Sequence, residues 1–290
     1  MTRINKITVR NPDPLGSRLL WEPLIEPGSP HSLGQSRFII LIHGFQNSES
    51  KASASYEKFR KALGVAIWPR CVDILGSFWE YHWPGDHPAR LISVATYSAR
   101  VPDAKESGRL LYEFLKDLPG TTEVVLVGHS LGCRVALQAM RFIRRDGAAY
   151  RGARVRKAFL LAAAVPVDLC MARRDYDWEP GESREYVFWS QNDGALGRVF
   201  NAGQKVYGEV GNAVGHTGLP PGRWTKAVPT ELDHGDYWGS SDVAQDIAWF
   251  FGQRTRHVLP RWPRNTSRPL NRRELDRMLL GARVLPSHGC

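Results

Sequence analysis

The sequence predicts an α/β fold, with a mostly parallel central sheet, helices on both faces and an antiparallel hairpin at the N-terminal edge. Two continuous apolar runs, at 38–42 and 124–127, are rich in β-branched residues and are typical of strands buried on both faces. Segments with apolar residues at helical spacing lie between such runs, and this alternation favours a parallel sheet covered by helices. The 290 residues, 42% of them hydrophobic and 23% charged, are enough for one large globular domain of this class.

The first predicted elements are the two strands of the edge hairpin. Residues 3–9 and 17–22 have strand character, and a turn rich in Pro and Gly at 11–16 separates them. Antiparallel pairing of these strands places them at one edge of the sheet. The next segment, at 23–34, is rich in Pro, Gly and Ser and is predicted to be a loop.

Two βα units are predicted next. The strand at 38–42 leads into a helix over 51–64, where apolar residues recur at helical spacing. A strand at 72–78 leads into an aromatic loop at 79–85, and a long, partly helical pattern covers 89–117. Ligands of open α/β sheets bind outside the carboxyl ends of the strands, so we expect the aromatic loop at the ligand-binding edge.

The same alternation continues after the central apolar run. The strand at 124–127 precedes a helix over about 131–145. Further strands are predicted at 156–162 and 185–189, followed by a short one near 223–228. Each of these strands adds to the same parallel sheet.

An insertion and a C-terminal extension complete the predicted organisation. Residues 197–222 are rich in Gly and Pro without a clear period, which predicts an irregular insertion. A helix over 242–251 is the last core element, and an Asp near its start suits the helix dipole. We expect one domain over 1–252 that carries the insertion, and an Arg-rich extension over 253–290.

One turn carries a pattern associated with catalysis. Gly128, His129, Ser130, Leu131 and Gly132 fit G-x-S-x-G, directly after the apolar run and before a predicted helix. This strand–turn–helix context is what the pattern requires to be a nucleophile elbow. Glycine tolerates the close backbone approach of such a turn, and free N–H groups at a helix start favour an anion. The alternative is an ordinary Gly-rich βα turn.

A serine nucleophile needs a base, and the base needs an orienting acid. His234 lies in the loop before the last helix and is the expected base; His216, in the insertion, is the alternative. Asp193 follows the strand at 185–189 and is the expected acid; Asp168, after the preceding strand, is the alternative. The order Ser130, Asp193, His234 is the chain order of α/β-hydrolase triads.

On these residues the chain resembles the α/β-hydrolase family over about residues 35–252. The matching segments are His-Gly-Phe at 43–45, the elbow at 128–132, Asn-Asp at 192–193 and His-Gly-Asp-Tyr-Trp at 234–238. The Trp-Pro-Gly sequence of the aromatic loop and the His-Gly-Asp-Tyr sequence also resemble bacterial members of unassigned function. The insertion departs from the family pattern, which leaves the substrate pocket and last strand less defined than the triad.

The resemblance implies an oxyanion hole made by the backbone N–H groups of Phe45 and Leu131. We also expect six residues in or beside the substrate-binding region. Of these, a glycine permits close approach of the backbone, one histidine holds the oxyanion loop, and another packs beside the elbow. The other three are aromatic residues that either line an apolar acyl pocket or pack in the core. The six residues are His43, Gly44, Tyr81, Trp83, His129 and Trp238.

Positive charge is concentrated at the C-terminal end of a chain whose net charge is +10. Residues 253–290 hold nine Arg and no Lys, against Glu274 and Asp276, which gives nine minus two, or +7. This extension is either solvated without a role in the chemistry or binds an anionic surface such as a phospholipid membrane. Nucleic acid is disfavoured as a partner, because the extension has no alternating aromatics or zinc-finger spacing.

The remaining composition bears on compartment and cofactors. The four cysteines have no metal-like spacing and do not suggest a disulfide framework. We expect no metal and no organic cofactor. We expect no signal peptide, because residues 1–10 have no apolar segment, and no stretch is apolar for long enough to span a membrane. We therefore expect a cytoplasmic protein, with export independent of an N-terminal signal as the alternative.

The expected activity is hydrolysis of a carboxylic ester, of the esterase or lipase type, through an acyl-enzyme on Ser130. A thioesterase or an acyltransferase would use the same residues. A non-catalytic binding protein on the same fold is the alternative from another class, and binding of nucleic acid through the extension is a third. Small-molecule or lipid esters are the expected substrates.

Overall fold

The computed structural model shows one sheet of eight strands with helices around it. Its strands are β1 Asn5–Arg10, β2 Leu19–Glu26, β3 Arg37–Ile42, β4 Phe78–His82, β5 Glu123–His129, β6 Arg154–Leu161, β7 Glu185–Trp189 and β8 Lys226–Pro229. Its helices are α1 Glu49–Ile67, α2 Val94–Asp117, α3 Gly132–Asp146, α4 Val214–Thr217 and α5 Ser241–Gly252. The structure describes residues 4–11, 19–26, 35–67, 77–86, 94–171, 176, 184–200, 202–203, 207–209, 211–219 and 226–252.

The strand order across the sheet is β2-β1-β4-β3-β5-β6-β7-β8. Among the strands of the described residues, only β1 and β2 pair antiparallel, and the other neighbours are parallel. This confirms the predicted fold class and the hairpin at one edge. Register along the central strands sets Ile42 of β3 opposite Gly128 of β5. The turns that follow these two strands therefore start at the same level of the sheet.

Apolar strands at the centre of the sheet form the core. The side chains of β3 from Phe38 onward are fully buried, as are most of those in β5. α2 packs against α3, and α1 packs against α5. Burial of apolar surface on both faces of the strands is the main stabilising term. It also fixes the carboxyl ends of β3, β5, β6 and β7, from which the candidate site is built.

The fourth strand differs from its prediction. The sequence predicts a strand at 72–78 followed by an aromatic loop, whereas β4 occupies Phe78–His82 and residues 71–76 lie outside the described part of the chain. The aromatic side chains at 79 and 81 are therefore strand residues in the core. The apolar pattern failed here because β4 buries Glu80, whose carboxylate pairs with Arg60 at 2.6 Å.

The second strand is longer than predicted and runs through Pro23 to Glu26. Proline lacks the N–H that a central strand would need, but it is tolerated in an edge strand. β2 lies at one edge of the sheet, where β1 is its one neighbour among the described strands. The first four residues of the predicted loop at 23–34 are therefore strand, and residues 27–34 lie outside the described part.

The predicted insertion at 197–222 contains ordered segments among its described residues. A π-helical turn covers Leu196–Phe200, and α4 follows at Val214–Thr217. Glu209 pairs with Arg134 of α3 at 2.8 Å and with Lys105 of α2 at 2.9 Å. The Arg134 side chain is fully buried, so this ion pair anchors the insertion to the two helices. The predicted extension at 253–290 lies outside the described residues.

Candidate active site

Ser130 lies in the tight turn between β5 and α3, with φ at 52°. Residues other than glycine seldom adopt this left-handed conformation, and functional sites are where it is most often retained. The Ser130 N–H donates to the carbonyl of Leu161 at 2.9 Å, which ties the turn to β6. A Cβ at Gly128 would lie 2.9 Å from the α3 backbone, and one at Gly132 would lie 2.3 Å from the carbonyl oxygen of His43. Both positions therefore require glycine.

The loop after β3 packs against this turn. A Cβ at Gly44 would lie only 2.7 Å from the Cβ of Ser130, so the close approach depends on glycine. The Asn47 amide holds the loop by donating to the carbonyls of Gly44 and Phe45, at 3.3 and 3.2 Å. Within the described part of the chain, the N–H groups of Phe45 and Leu131 have no hydrogen-bond acceptor. Two available donors beside a serine suit a negatively charged oxygen.

The three predicted triad residues form one hydrogen-bonded chain. Asp193 follows β7 and His234 precedes the turn Tyr237–Gly239. Nδ1 of His234 lies 2.7 Å from Oδ2 of Asp193, and its Nε2 lies 3.0 Å from Oγ of Ser130. Since the carboxylate accepts at Nδ1, the proton lies on that nitrogen and Nε2 is left to accept from the serine.

Burial differs along this chain of hydrogen bonds in a way that suits catalysis. The Asp193 side chain is fully buried, whereas 26% of the His234 side chain is exposed. The other carboxylate oxygen of Asp193 accepts the N–H of Leu196 at 2.9 Å, which fixes its orientation. The acid is therefore shielded and held in place, and the imidazole is accessible from the cavity described below.

The alternative acid and base lie elsewhere. Asp168 sits in the short turn after β6, where its carboxylate faces Gly211. Nδ1 of His216 lies 3.2 Å from the carbonyl oxygen of Ser190. Neither residue takes part in the hydrogen-bonded chain that ends at the elbow serine.

Two buried histidines hydrogen bond to the backbone of the loops that form the site. Nε2 of His129 donates to the carbonyl of His234 at 2.7 Å, and Nδ1 of His43 donates to the carbonyl of Gly44 at 2.9 Å. Burial is the main reason that the pKa of each falls to about 3, and a neighbouring histidine lowers each further. Both rings are neutral at pH 7. They hold the loops that carry the base and the two free N–H groups.

A mostly apolar cavity, open in part to solvent, lies beside the serine and the imidazole. Its walls come from the loop after β3, from α2, and from the segment after β7. Described residues that line it are Phe45, Gln46, Tyr97, Ser130, Ala164, Ala195, Leu196, Phe200 and His234. Sequence reasoning did not find Gln46, Tyr97 or the lining residues after β7, because a helical pattern does not show which face meets a cavity and the insertion has no period.

Three of the aromatic residues predicted to line an acyl pocket are in the core instead. Tyr81 and Trp83 are fully buried and Trp238 is 4% exposed. None is among the described residues that line the cavity. Trp83 stacks on His43 with ring centroids 5.5 Å apart and donates its indole N–H to the carbonyl of that residue at 2.8 Å. It supports the loop after β3, and the structure places these three rings in the core and not among the described residues that line the cavity.

Comparison with known families agrees with the fold. A family model described as the alpha/beta hydrolase family matches residues 39–289, which is most of the chain. The chain therefore belongs to the alpha/beta hydrolase family. A search of curated proteins finds no significant match. In the described part of the chain, no helix is both long and apolar enough to cross a membrane.

Solved structures similar to this chain include several hydrolases. A hydrolase of the alpha/beta superfamily from Xanthomonas campestris pv. campestris is 15% identical, with 76% of this chain and 99% of that chain covered and a TM-score of 0.39. The type II thioesterase YbtT of the yersiniabactin biosynthetic pathway is 14% identical, with coverage of 77% and 93% and a TM-score of 0.38. Polyneuridine aldehyde esterase is 13% identical, with coverage of 75% and 100% and a TM-score of 0.37.

Proposed function

We propose that this protein is a serine hydrolase that cleaves a carboxylic ester through an acyl-enzyme on Ser130. One observation carries the proposal: the continuous hydrogen-bonded chain from Ser130 through His234 to the buried Asp193. A serine hydroxyl is a weak nucleophile at neutral pH, and a base held in the correct tautomer by a carboxylate is what activates it.

The reaction follows from the positions of these groups. Oγ of Ser130 attacks the carbonyl carbon while Nε2 of His234 takes the hydroxyl proton. The N–H groups of Phe45 and Leu131 stabilise the resulting oxyanion, at about 3 kcal/mol of barrier for each donor. The imidazolium, stabilised by Asp193, then protonates the departing alcohol. Water attacks the acyl-enzyme with the same imidazole as base. The imidazolium then returns the proton to Oγ of Ser130 as the acyl–oxygen bond breaks, and the carboxylic acid leaves.

The cavity indicates the kind of acyl group. Its walls are mainly alkyl and aromatic, and small side chains at Ala164 and Ala195 leave the space beside the serine open. Apolar walls of this kind favour an apolar acyl group through burial of its surface, at about 0.8 kcal/mol for each methylene. We therefore propose an uncharged acyl group of short or medium length.

The test combines a covalent probe with a panel of esters. A fluorophosphonate should label the full chain, and p-nitrophenyl esters from acetate to dodecanoate should be hydrolysed with one preferred length. Ser130→Ala should remove both labelling and turnover. Ser50→Ala, an exposed serine at the start of α1, is the matched control and should change neither. Absence of labelling in the unaltered chain would favour a binding protein on this fold.

We also propose that the Arg-rich extension binds an anionic phospholipid surface. Its charge of +7 over 253–290 suits an anionic phospholipid surface. Sedimentation of the full chain with vesicles of anionic lipid should then exceed that with neutral vesicles, and the excess should fall as salt rises. Equal sedimentation with both vesicles would leave the extension as a solvated segment.

A further inference from the structure

Gln46 has three unusual features that the triad does not explain. It directly follows Phe45, it lines the cavity together with Ser130, and its φ is 59°. Positive φ is uncommon for a residue other than glycine, and it persists where the surrounding structure imposes it. The side-chain amide nitrogen of Gln46 is buried and has no hydrogen-bond partner in the described part of the chain.

The backbone around Gln46 explains how its conformation is imposed. The Gln46 N–H donates to the carbonyl of Gly85 at 2.7 Å. A Cβ at Gly85 would lie 2.9 Å from the carbonyl oxygen of Gly44, so the segments around 44–46 and 83–85 are tightly packed. This anchoring holds the Gln46 side chain against the cavity. The adjacent Asn47 amide is different, since it donates to backbone carbonyls of its own loop.

The other polar side chains of the cavity already have hydrogen-bond partners. Ser130 and His234 hydrogen bond to each other at 3.0 Å, and the Tyr97 hydroxyl lies 3.5 Å from the carbonyl oxygen of Ala164. The other cavity walls are alkyl or aromatic. A buried amide donor without an acceptor carries a desolvation penalty, which an acceptor on a bound molecule would remove.

We propose that Gln46 is a specificity-determining residue that donates a hydrogen bond from its side-chain amide to an acceptor oxygen in the acyl group filling the cavity. The substrates are then esters whose mainly apolar acyl chain carries an ether or keto oxygen. This inference rests on the proposed function, because it assumes that the acyl group occupies the cavity beside Ser130.

The test uses two esters that differ by one atom. In p-nitrophenyl methoxyacetate an ether oxygen replaces the methylene of butyrate that is next to the methyl group. The size of the acyl group is almost unchanged. The measured quantity is the ratio of kcat/KM for methoxyacetate to kcat/KM for butyrate. Comparing this ratio between variants removes the difference in intrinsic reactivity of the two esters.

Gln46→Met keeps the length of the side chain and removes the donor. Loss of one neutral hydrogen bond should lower the ratio about fivefold. Gln46→Asn is the second variant, because asparagine tolerates positive φ and keeps the loop folded, while its amide is one methylene shorter. It should lower the ratio in the same direction. Ser50→Ala is the control, because this exposed serine lies outside the cavity, and its ratio should equal that of the unaltered chain.

A ratio that stays constant in both Gln46 variants would overturn the inference while leaving the proposed function intact. An equal loss of rate for both esters would give this result and would make Gln46 a general support of the loop. Failure of the proposed function would look different: the unaltered chain would hydrolyse neither ester and would not be labelled by a fluorophosphonate at Ser130. The inference would then fall with it.

Discussion

Oδ2 of Asp193 lies 2.7 Å from Nδ1 of His234, although the two residues are 41 positions apart in the chain. The carboxylate is fully buried, and its second oxygen is held by the N–H of Leu196. The aspartate can therefore orient the imidazole and stabilise its positive charge without being solvated itself. This relationship distinguishes the acid of the proposed triad from the other carboxylates near the sheet edge.

Asp193→Asn should lower kcat by about 10⁴-fold, with little change in fold, because an amide that donates to Nδ1 selects the wrong imidazole tautomer. Steady-state hydrolysis of the best p-nitrophenyl ester measures the effect. Asp168→Asn is the control, since that carboxylate lies outside the triad, and it should retain the rate of the unaltered chain. A larger loss in Asp168→Asn than in Asp193→Asn would reverse the assignment of the acid.

The buried histidines His43 and His129 should make stability depend on pH. Their pKa values fall to about 3 in the folded chain, against an ordinary value of about 6.5. Between these values the unfolded chain binds protons that the folded chain does not, so stability falls as pH falls through 6.5 towards 3. Each histidine should contribute a slope of about 1 kcal/mol per pH unit in this range.

Urea unfolding at several pH values between 7.5 and 5 measures that slope. His129→Phe keeps a ring in the site and removes one titrating group, so its free energy of unfolding should depend less steeply on pH.

Glu80 should make the free energy of unfolding depend on pH in a second, more acidic range. Its side-chain hydrogen bonds to His82, Ser53 and Arg60 outweigh burial and lower its pKa to about 2. Its contribution is therefore lost as pH falls from about 4.5 towards 2. For the histidines, the contradicting result is a free energy of unfolding that changes equally with pH between 7.5 and 5 in His129→Phe and in the unaltered chain.

Gly44→Ala should abolish ester hydrolysis and lower the thermal midpoint. The added Cβ would lie 2.7 Å from the Cβ of Ser130 and 3.1 Å from Nδ1 of His129, so the loop carrying the Phe45 N–H must move away. Loss of one oxyanion donor alone costs about 10²-fold to 10³-fold in kcat. Gly239→Ala is the matched control, because nothing lies within 4 Å of its added Cβ. An active Gly44→Ala variant would separate this loop from the chemistry.

Much of this fold could be predicted from the sequence, because apolar runs at β3 and β5 and the glycines around Ser130 are local signals. The triad order followed from the same signals, since each member lies just beyond a strand or before a helix. The limits of β4 could not be predicted, because the burial of Glu80 depends on Arg60, twenty positions away. The cavity walls at Tyr97 and Phe200 could not be predicted either, because they depend on how α2 meets the segment after β7.

Glu209→Gln should destabilise the chain by about 3 kcal/mol, because it removes a negative partner of Arg134, whose side chain is fully buried. Urea unfolding measures the change. Glu57→Gln is the control: Glu57 pairs with Lys61 on the exposed face of α1, and its loss should leave the unfolding curve unchanged. A Glu209→Gln variant as stable as this control would show that the ion pair does not anchor the insertion.

Tyr97→Ala should shift the preferred ester towards longer acyl chains. The Tyr97 ring is 95% buried, contacts the rings of Phe45 and Phe200 at 5.8 and 6.0 Å, and forms one wall of the cavity. Its removal leaves space that additional methylenes can fill. If two of the four additional methylenes of octanoate become buried there, at about 0.8 kcal/mol each, the octanoate-to-butyrate ratio of kcat/KM should rise about tenfold.

The control for this shift is Tyr150→Ala, which removes a half-buried tyrosine that does not line the cavity. Its octanoate-to-butyrate ratio should equal that of the unaltered chain, even if its stability is lower. Thermal midpoints of both variants, measured beside the kinetics, separate a change in fold from a change in selectivity. A folded Tyr97→Ala variant with an unchanged ratio would mean that the acyl chain lies elsewhere. The cavity beside Ser130 would then have to bind the alcohol part of the ester.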